Sequence, residues 1–214
     1  TPVQVWEANM KAGETKAALS LLKCILLGVI AGAFIAFGGA TSNAAIHNIA
    51  NQGIAKALAG AIFPVGLMMI VFVGGELFTG DCLMIAGVVD KRFSALKMIK
   101  TLVIVWFSNL VGALIIVTLI YFSGLLDYTD GALGAFTIKI ALTKCTITPF
   151  KAICSGILCN ILVCIAVLMA TSAKDIIGKV WAIFFPIWAF VIGGWEHCVA
   201  NMFYIPAGII ASCN

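Results

Sequence analysis

The sequence predicts an all-α membrane protein built as an inverted repeat with two broken transmembrane helices. Three observations lead there. Hydrophobic residues fill 63% of the 214 positions and charged residues only 10%, with a mean hydropathy of +1.14, whereas a soluble globular domain carries about 25% charge. Five stretches, 24–55, 57–75, 101–126, 152–173 and 180–195, hold no Asp, Glu, Lys or Arg. Most of them match or exceed the ~20 residues that a helix needs to cross a bilayer, and none shows the dyad alternation of an outer-membrane barrel. Finally, "FVGGELFTGD" (72–81) and "FVIGGWEHCVANMF" (190–203) each interrupt an apolar run with Gly-Gly, a glutamate and further polar groups.

The elements follow in order. Residues 1–22 are predicted to form an amphipathic cytoplasmic helix, with Trp6 and Met10 four apart on one face; a membrane-surface anchor and a gate are both open roles for it. Residues 23–214 form the transmembrane channel domain, with spans at 24–46, 57–89, 97–122, 150–172 and 180–209. The first span is too long, and its flanks too polar, for a cleaved signal peptide. Its Gly28 and Gly32 have the spacing that permits close helix packing, although ordinary span composition explains them equally well. His47, near the end of that span, reads as a surface or packing residue. The second span would run about 50 Å as one helix, well beyond a ~30 Å hydrocarbon core, so it is expected to break at Gly74-Gly75. The fifth is expected to break at Gly193-Gly194, with Pro206 marking its far end. Lys11, Lys16, Lys23, Lys91, Arg92, Lys97, Lys100, Lys174 and Lys179 fall on one side, nine of the thirteen basic residues, which places the amino terminus in the cytoplasm.

The two interrupted spans resemble each other. Each begins with Phe-Pro ("FPVG" from 63, "FPIW" from 185) and runs through apolar residues to Gly-Gly and then a glutamate, and the Gly-Gly pairs lie 119 positions apart. Three spans, starting with the second, bring the chain to the fifth, so the copies cross in opposite directions. Irregular backbone at membrane depth persists only where protein buries it or it lines a wet cavity, and paired broken helices bring half-helix ends to a solute at the midplane. The breaks therefore mark a pathway.

Other classes are disfavoured. The eight cysteines form no Cys-x-x-Cys, and Cys154, Cys159 and Cys164 sit at fives along an apolar helix, as small buried hydrophobes rather than ligands. Phosphate loops, paired catalytic carboxylates and nucleophile motifs are missing, so no enzyme and no cofactor is expected. Two histidines and scattered cysteines are poor ligation for a membrane redox subunit. The net charge of +4 is accounted for by the topological bias and calls for no nucleic acid.

Read together and in this order, "GELFTGD" (75–81), "GILCNILVCIAVLMA" (156–170) and "GWEHCVANMFYIPAG" (194–208) resemble the formate/nitrite transporter family of pentameric anion channels, which includes formate, nitrite and hydrosulfide members. The resemblance implies an aquaporin-like bundle with one pore per subunit of a homopentamer. It implies that His197 is the central histidine and Thr79 the threonine on the loop that breaks the second span, with Asn160, Glu196 and Asn201 as hydrogen-bonding partners. Leu67, Leu77 and Phe78 match a cytoplasmic-side constriction and Phe63 and Phe190 an outer one, with Val163 beside them. Lys144 matches a lysine of the outer vestibule and Lys16 one of the inner mouth. Lys151 stands where formate-type relatives are expected to carry an acid, and with "ELFTG" it leans toward the nitrite or hydrosulfide branches. The family continues to a sixth helix that this chain does not contain, which implies a longer natural protein.

The residues' own chemistry agrees. A bare anion in hydrocarbon is prohibitively costly, and Thr79, Asn160, Asn201, His197 and half-helix amides are candidate donors. Apolar constrictions favour a small monovalent solute, and formate, nitrite and hydrosulfide are all bases of weak acids. His197 either hands such an anion a proton or stays neutral as a donor; both readings are open. Lys144, Lys151 and Lys16 are candidates for attracting anions, or are solvated loop and helix-end lysines. Glu196 at depth is expected to be held by nearby amides, and the role of Glu76 is open. A neutral-solute pore of the water or glycerol type is the alternative, without the Asn-Pro-Ala signature at either break.

Overall fold

A computed structural model describes residues 1–213, and no strand occurs among them. The helices are α1 (Pro2–Ala17), α2 (Leu21–Ile46), α3 (Gln52–Ile62), α4 (Val65–Val73), α5 (Phe78–Asp81), α6 (Ile85–Val89), α7 (Ala95–Phe122), α8 (Ala132–Thr146), α9 (Pro149–Ser172), α10 (Ile176–Gly193) and α11 (Cys198–Ala211). A 3₁₀ turn, Cys82–Met84, joins α5 to α6. Side chains fix several starts: Thr1 forms a capping box with Gln4, Asn51 accepts from the Gly53 and Ile54 amides, and Ser94 and Asp175 cap α7 and α10. Five segments are long and apolar enough to cross a membrane: 21–46, 52–73, 95–122, 149–172 and 176–193.

Both expected breaks occur. Helix α4 ends at Gly74 (φ +108°) and α10 at Gly194 (φ +68°). Side-chain-bearing residues rarely adopt these positive φ values, which is why glycine stands at both stops. The chain then runs extended to Leu77 and to His197, which begin α5 and α11 from equivalent places. The repeat is thus in register at a step of 120, from Gly74 to Gly194 and from Leu77 to His197, not the 119 suggested by the Gly-Gly pairs. The repeated Phe-Pro is not a structural equivalence: the chain turns between α3 and α4 at Phe63-Pro64, whereas Pro186 lies inside an unbroken α10.

Packing centres on α2. A Cβ on Gly32 would lie 2.0 Å from the Asn109 carbonyl oxygen, and one on Gly28 would lie 2.5 Å from Ser108 Cβ, so the small residues of α2 do let α7 approach backbone to backbone. Helix α11 closes on α7 and α8, and α9 on α10. The interior is lined by Ala31, Ile35, Leu67, Val163, Ile187 and Phe203, among others.

Three features differ from the sequence reading. Residues 132–146, which lie outside the five expected spans, form α8, whose Leu133, Gly134, Thr137 and Ala141 bury one helical stripe. Pro206 lies within α11 and does not end it. On α1, Met10 is buried with Asn9, Gly13 and Ala17, while Trp6 is 47% exposed, so the two do not share the packed face. His47 packs at its helix end, with Nδ1 2.8 Å from the Ala44 carbonyl and Nε2 2.9 Å from Thr129 Oγ1.

Candidate functional site

An extended segment between two half-helices strips backbone groups of their helical partners, and such groups must be satisfied at membrane depth. At the first break the partner is Asn109, fully buried on α7. Its Nδ2 donates to the Gly28 carbonyl (2.7 Å) and the Glu76 carbonyl (2.9 Å), and its Oδ1 accepts from the Phe78 amide (3.0 Å). The Glu76 amide donates to the Leu27 carbonyl at 3.1 Å. At the second break the Glu196 amide donates to Ser155 Oγ at 2.8 Å. The expected site did not include Asn109 or Ser155, although an asparagine inside the apolar run "VWFSNLVG" was a visible signal for the former.

The half-helices bring Thr79 and His197 together. Thr79 Oγ1 lies 3.2 Å from His197 Nε2, and both residues are buried. The other ring nitrogen is committed: His197 is the N-cap of α11, and its Nδ1 accepts from the Ala200 amide at 3.0 Å. An acceptor Nδ1 carries no proton, so the neutral ring holds its hydrogen on Nε2 and donates it to Thr79 Oγ1. The threonine hydroxyl then has its own hydrogen free to donate. Protonating Nδ1 would set two N–H groups against each other and cost the helix its cap, so the geometry favours a neutral resting ring.

Apolar side chains seal both sides of this junction. Leu67 and Leu77, both buried, line a cavity of about 220 Å³ that opens toward α1. Phe63 and Phe190 pack edge to face with centroids 5.7 Å apart, and Phe190 stacks on His197 at 5.8 Å. They border a cavity of about 100 Å³ on the α8 side, lined also by His197, Lys144, Asn201 and Tyr204. Val163 is buried in the same core. Phe78 separates from Leu67 and Leu77: it lines a lateral groove of about 940 Å³ along α9, together with Thr79, Asn160, Glu196 and Asn201.

A lysine and a glutamate stand at each break. Lys144 on α8 donates to Glu196 Oε1 at 2.7 Å, and Asn201 Nδ2 donates to Glu196 Oε2 at 2.8 Å. Asn201 thereby uses one of its two amide hydrogens, and its buried Oδ1 has no partner; Asn160 Oδ1 is likewise buried without one. On the α1 side Lys16 pairs with Glu76 and with Asp81 Oδ1, the latter at 2.7 Å. Burial works against the charge of the Lys16 ammonium, but the two carboxylates outweigh it and hold the group above the usual lysine range. Lys56 and Lys139 join Lys144 around a neighbouring cavity of about 350 Å³. Lys151 is exposed on the first turn of α9, outside the lining of these cavities.

Comparison with known proteins agrees with this geometry. The sequence profile described as Formate/nitrite transporter matches residues 3–214. A protein named "Probable formate transporter" from Methanothermobacter thermautotrophicus is 41% identical over 98% of this chain and 83% of its own length. A solved structure titled "FNT family ion channel" superposes with a TM-score of 0.88 at 26% identity, covering 97% of this chain and 84% of that one. Another, "Pentameric formate channel with formate bound", gives 0.79 at 32% identity over 88% of this chain and 75% of its own. With its five apolar membrane-crossing segments and its two breaks meeting at one junction, the chain is a multi-pass membrane protein that belongs to the formate/nitrite transporter family, a family of transporters and channels and not of enzymes.

Proposed function

We propose that this protein moves small monovalent anions of weak acids, formate first among them and nitrite and hydrosulfide by the same chemistry, across the cytoplasmic membrane as a homopentamer. The observation that carries the reading is the Thr79–His197 contact, which joins the two breaks between one apolar seal of Leu67 and Leu77 and another of Phe63 and Phe190. Relatives and neighbours named for formate shift the substrate toward formate and away from the lean given by Lys151. The pentamer is inferred from a neighbour so titled. The excess of Lys and Arg on the α1 side supports a cytoplasmic location for that side and for residues 1–22.

An anion arriving on the α8 side meets the field of Lys56, Lys139 and Lys144. At the seal it must shed water, and as a bare charge between phenylalanines it would be unstable. The Thr79 hydroxyl, its oxygen held by His197 Nε2–H, offers a donor where the water is lost. Coulomb attraction there strengthens as water leaves and offsets the cost of charging the ring: a proton from the water of the α8-side mouth adds to His197 Nδ1, displacing the Ala200 amide, while the Nε2 proton passes to Thr79 Oγ1 and the hydroxyl proton to the anion, which crosses the second seal as a neutral acid. Asn160 and Asn201 each keep an amide hydrogen for the anion and an unpartnered acceptor Oδ1 for the acid's O–H.

Swelling of proteoliposomes in formate, nitrite, hydrosulfide and glycerol tests the reading. The three weak acids are expected to pass and glycerol to be excluded. Glycerol passing as fast as formate would replace this reading with a neutral-solute pore.

A further inference from the structure

The two mouths of the pathway are related by the repeat, yet they differ by one charge. Five residues after each glutamate, α11 carries Asn201 and α5 carries Asp81. On the α8 side Lys144 and Glu196 cancel, and the Asn201 amide donates the remaining hydrogen bond. On the α1 side Lys16 faces two carboxylates, Glu76 and Asp81. Lys16 cancels only one of them. Asp81 is 1% exposed, its Oδ1 receives the ammonium, and its Oδ2 has no partner, although the residue lines the 220 Å³ cavity.

A buried carboxylate oxygen with neither cation nor donor is costly, and two carboxylates at one site retain a proton more readily than either alone. The other charged or titratable groups around it do not remove the need. Lys16 on α1 is already shared, Glu76 on the break adds like charge, and Cys24 on α2 and Cys82 beside Asp81 offer no cation. Asn9 of α1 turns its amide to the Leu83 carbonyl, and Thr171 of α9, which also lines the cavity, donates to the Val167 carbonyl. A protonated Asp81, by contrast, would present an O–H donor at the position where Asn201 presents an N–H.

We propose that Asp81 is a proton-binding residue at the α1-side mouth, and that anions gain access from that side at full rate only while it holds its proton. Protonated, the Lys16–Glu76–Asp81 cluster is neutral, like the Lys144–Glu196 pair at the other break; deprotonated, it carries a net negative charge on the anion's route. Access from the α1 side therefore falls as pH on that side rises, and access from the α8 side lacks this dependence. The access claim rests on the anion-transport reading, whereas proton binding does not.

The test uses the full chain in proteoliposomes, with orientation counted by protease cleavage of α1, and measures formate uptake as external pH is raised from acidic to neutral. With α1 outward, Asp81→Asn is expected to raise neutral-pH uptake roughly tenfold, the effect of removing one unit charge about 12 Å away at an effective dielectric of ~20, and to reduce the fall with pH to the one seen with α8 outward, which the pH gradient alone causes. With α8 outward it should leave the profile unchanged. Asn201→Asp, which places the carboxylate pair at the other mouth, should confer the same pH dependence there. Infrared difference spectra provide a readout without transport: the wild type should show a protonated-carboxyl band that titrates and disappears in Asp81→Asn. An Asp81→Asn profile that matches the wild type overturns the access claim, and a band that persists in Asp81→Asn overturns proton binding. If wild type passes formate from neither side, access and the transport reading fall together while the infrared band still decides proton binding.

Discussion

At His197 one backbone amide decides what the ring can do. Because Ala200 N–H occupies Nδ1, the imidazole has a single free nitrogen, and that nitrogen meets Thr79. Asparagine is a good N-cap, so His197→Asn should keep α11 capped while removing the titratable ring. The expected outcome is a variant that still passes formate but loses accompanying proton movement, read by recording anion flux and internal pH together; undiminished proton movement would contradict a relay through His197. Thr79→Ala removes the free hydroxyl donor and should lower formate flux roughly tenfold or more, as loss of a hydrogen bond to a charged solute implies. Thr79→Ser should restore most of it, and wild-type rates in Thr79→Ala would show that the hydroxyl does not face the solute. The sequence motif made both residues candidates. Tautomer and hydroxyl direction were not legible there, because they depend on which neighbour reaches which nitrogen.

Among the elements, the breaks were readable and their supports were not. A Gly-Gly inside a span too long for the bilayer is a local signal, so the interruptions of α4 and α10 could be anticipated. That the first is held by Asn109, thirty-one or more residues away in sequence, is a tertiary fact. Asn109→Ala should leave the Glu76 carbonyl and the Phe78 amide without partners and destabilise the fold by about 2–4 kcal/mol, measurable as a fall in thermal midpoint in detergent. An unchanged midpoint would mean that water replaces the amide. Helix α8 was missed because its apolar stripe is narrow and interrupted by Lys139 and Lys144, so it lacks the span signature while still packing its small residues on α11. The apolar seal permits a separate check. Leu77→Ala opens the α1-side constriction and is expected to admit acetate, which wild type should pass poorly; no gain with acetate would remove Leu77 from the seal.

For the whole molecule, the repeat explains why two distant segments meet and why the mouths carry matching Lys–Glu pairs. It was visible as twin motifs, but the register was off by one. That shift matters, because only the step of 120 aligns Glu76 with Glu196 and Asp81 with Asn201. The central claim is that two apolar seals around a neutral junction prevent a bare charge from crossing. Formate uptake by wild-type protein in proteoliposomes, with the pH gradient and the membrane potential set independently, tests it most directly. Uptake that follows the pH gradient and is unaffected by potential is the expected result, since formate and proton then cross together without net charge. Uptake that follows the potential and ignores the pH gradient would contradict the account.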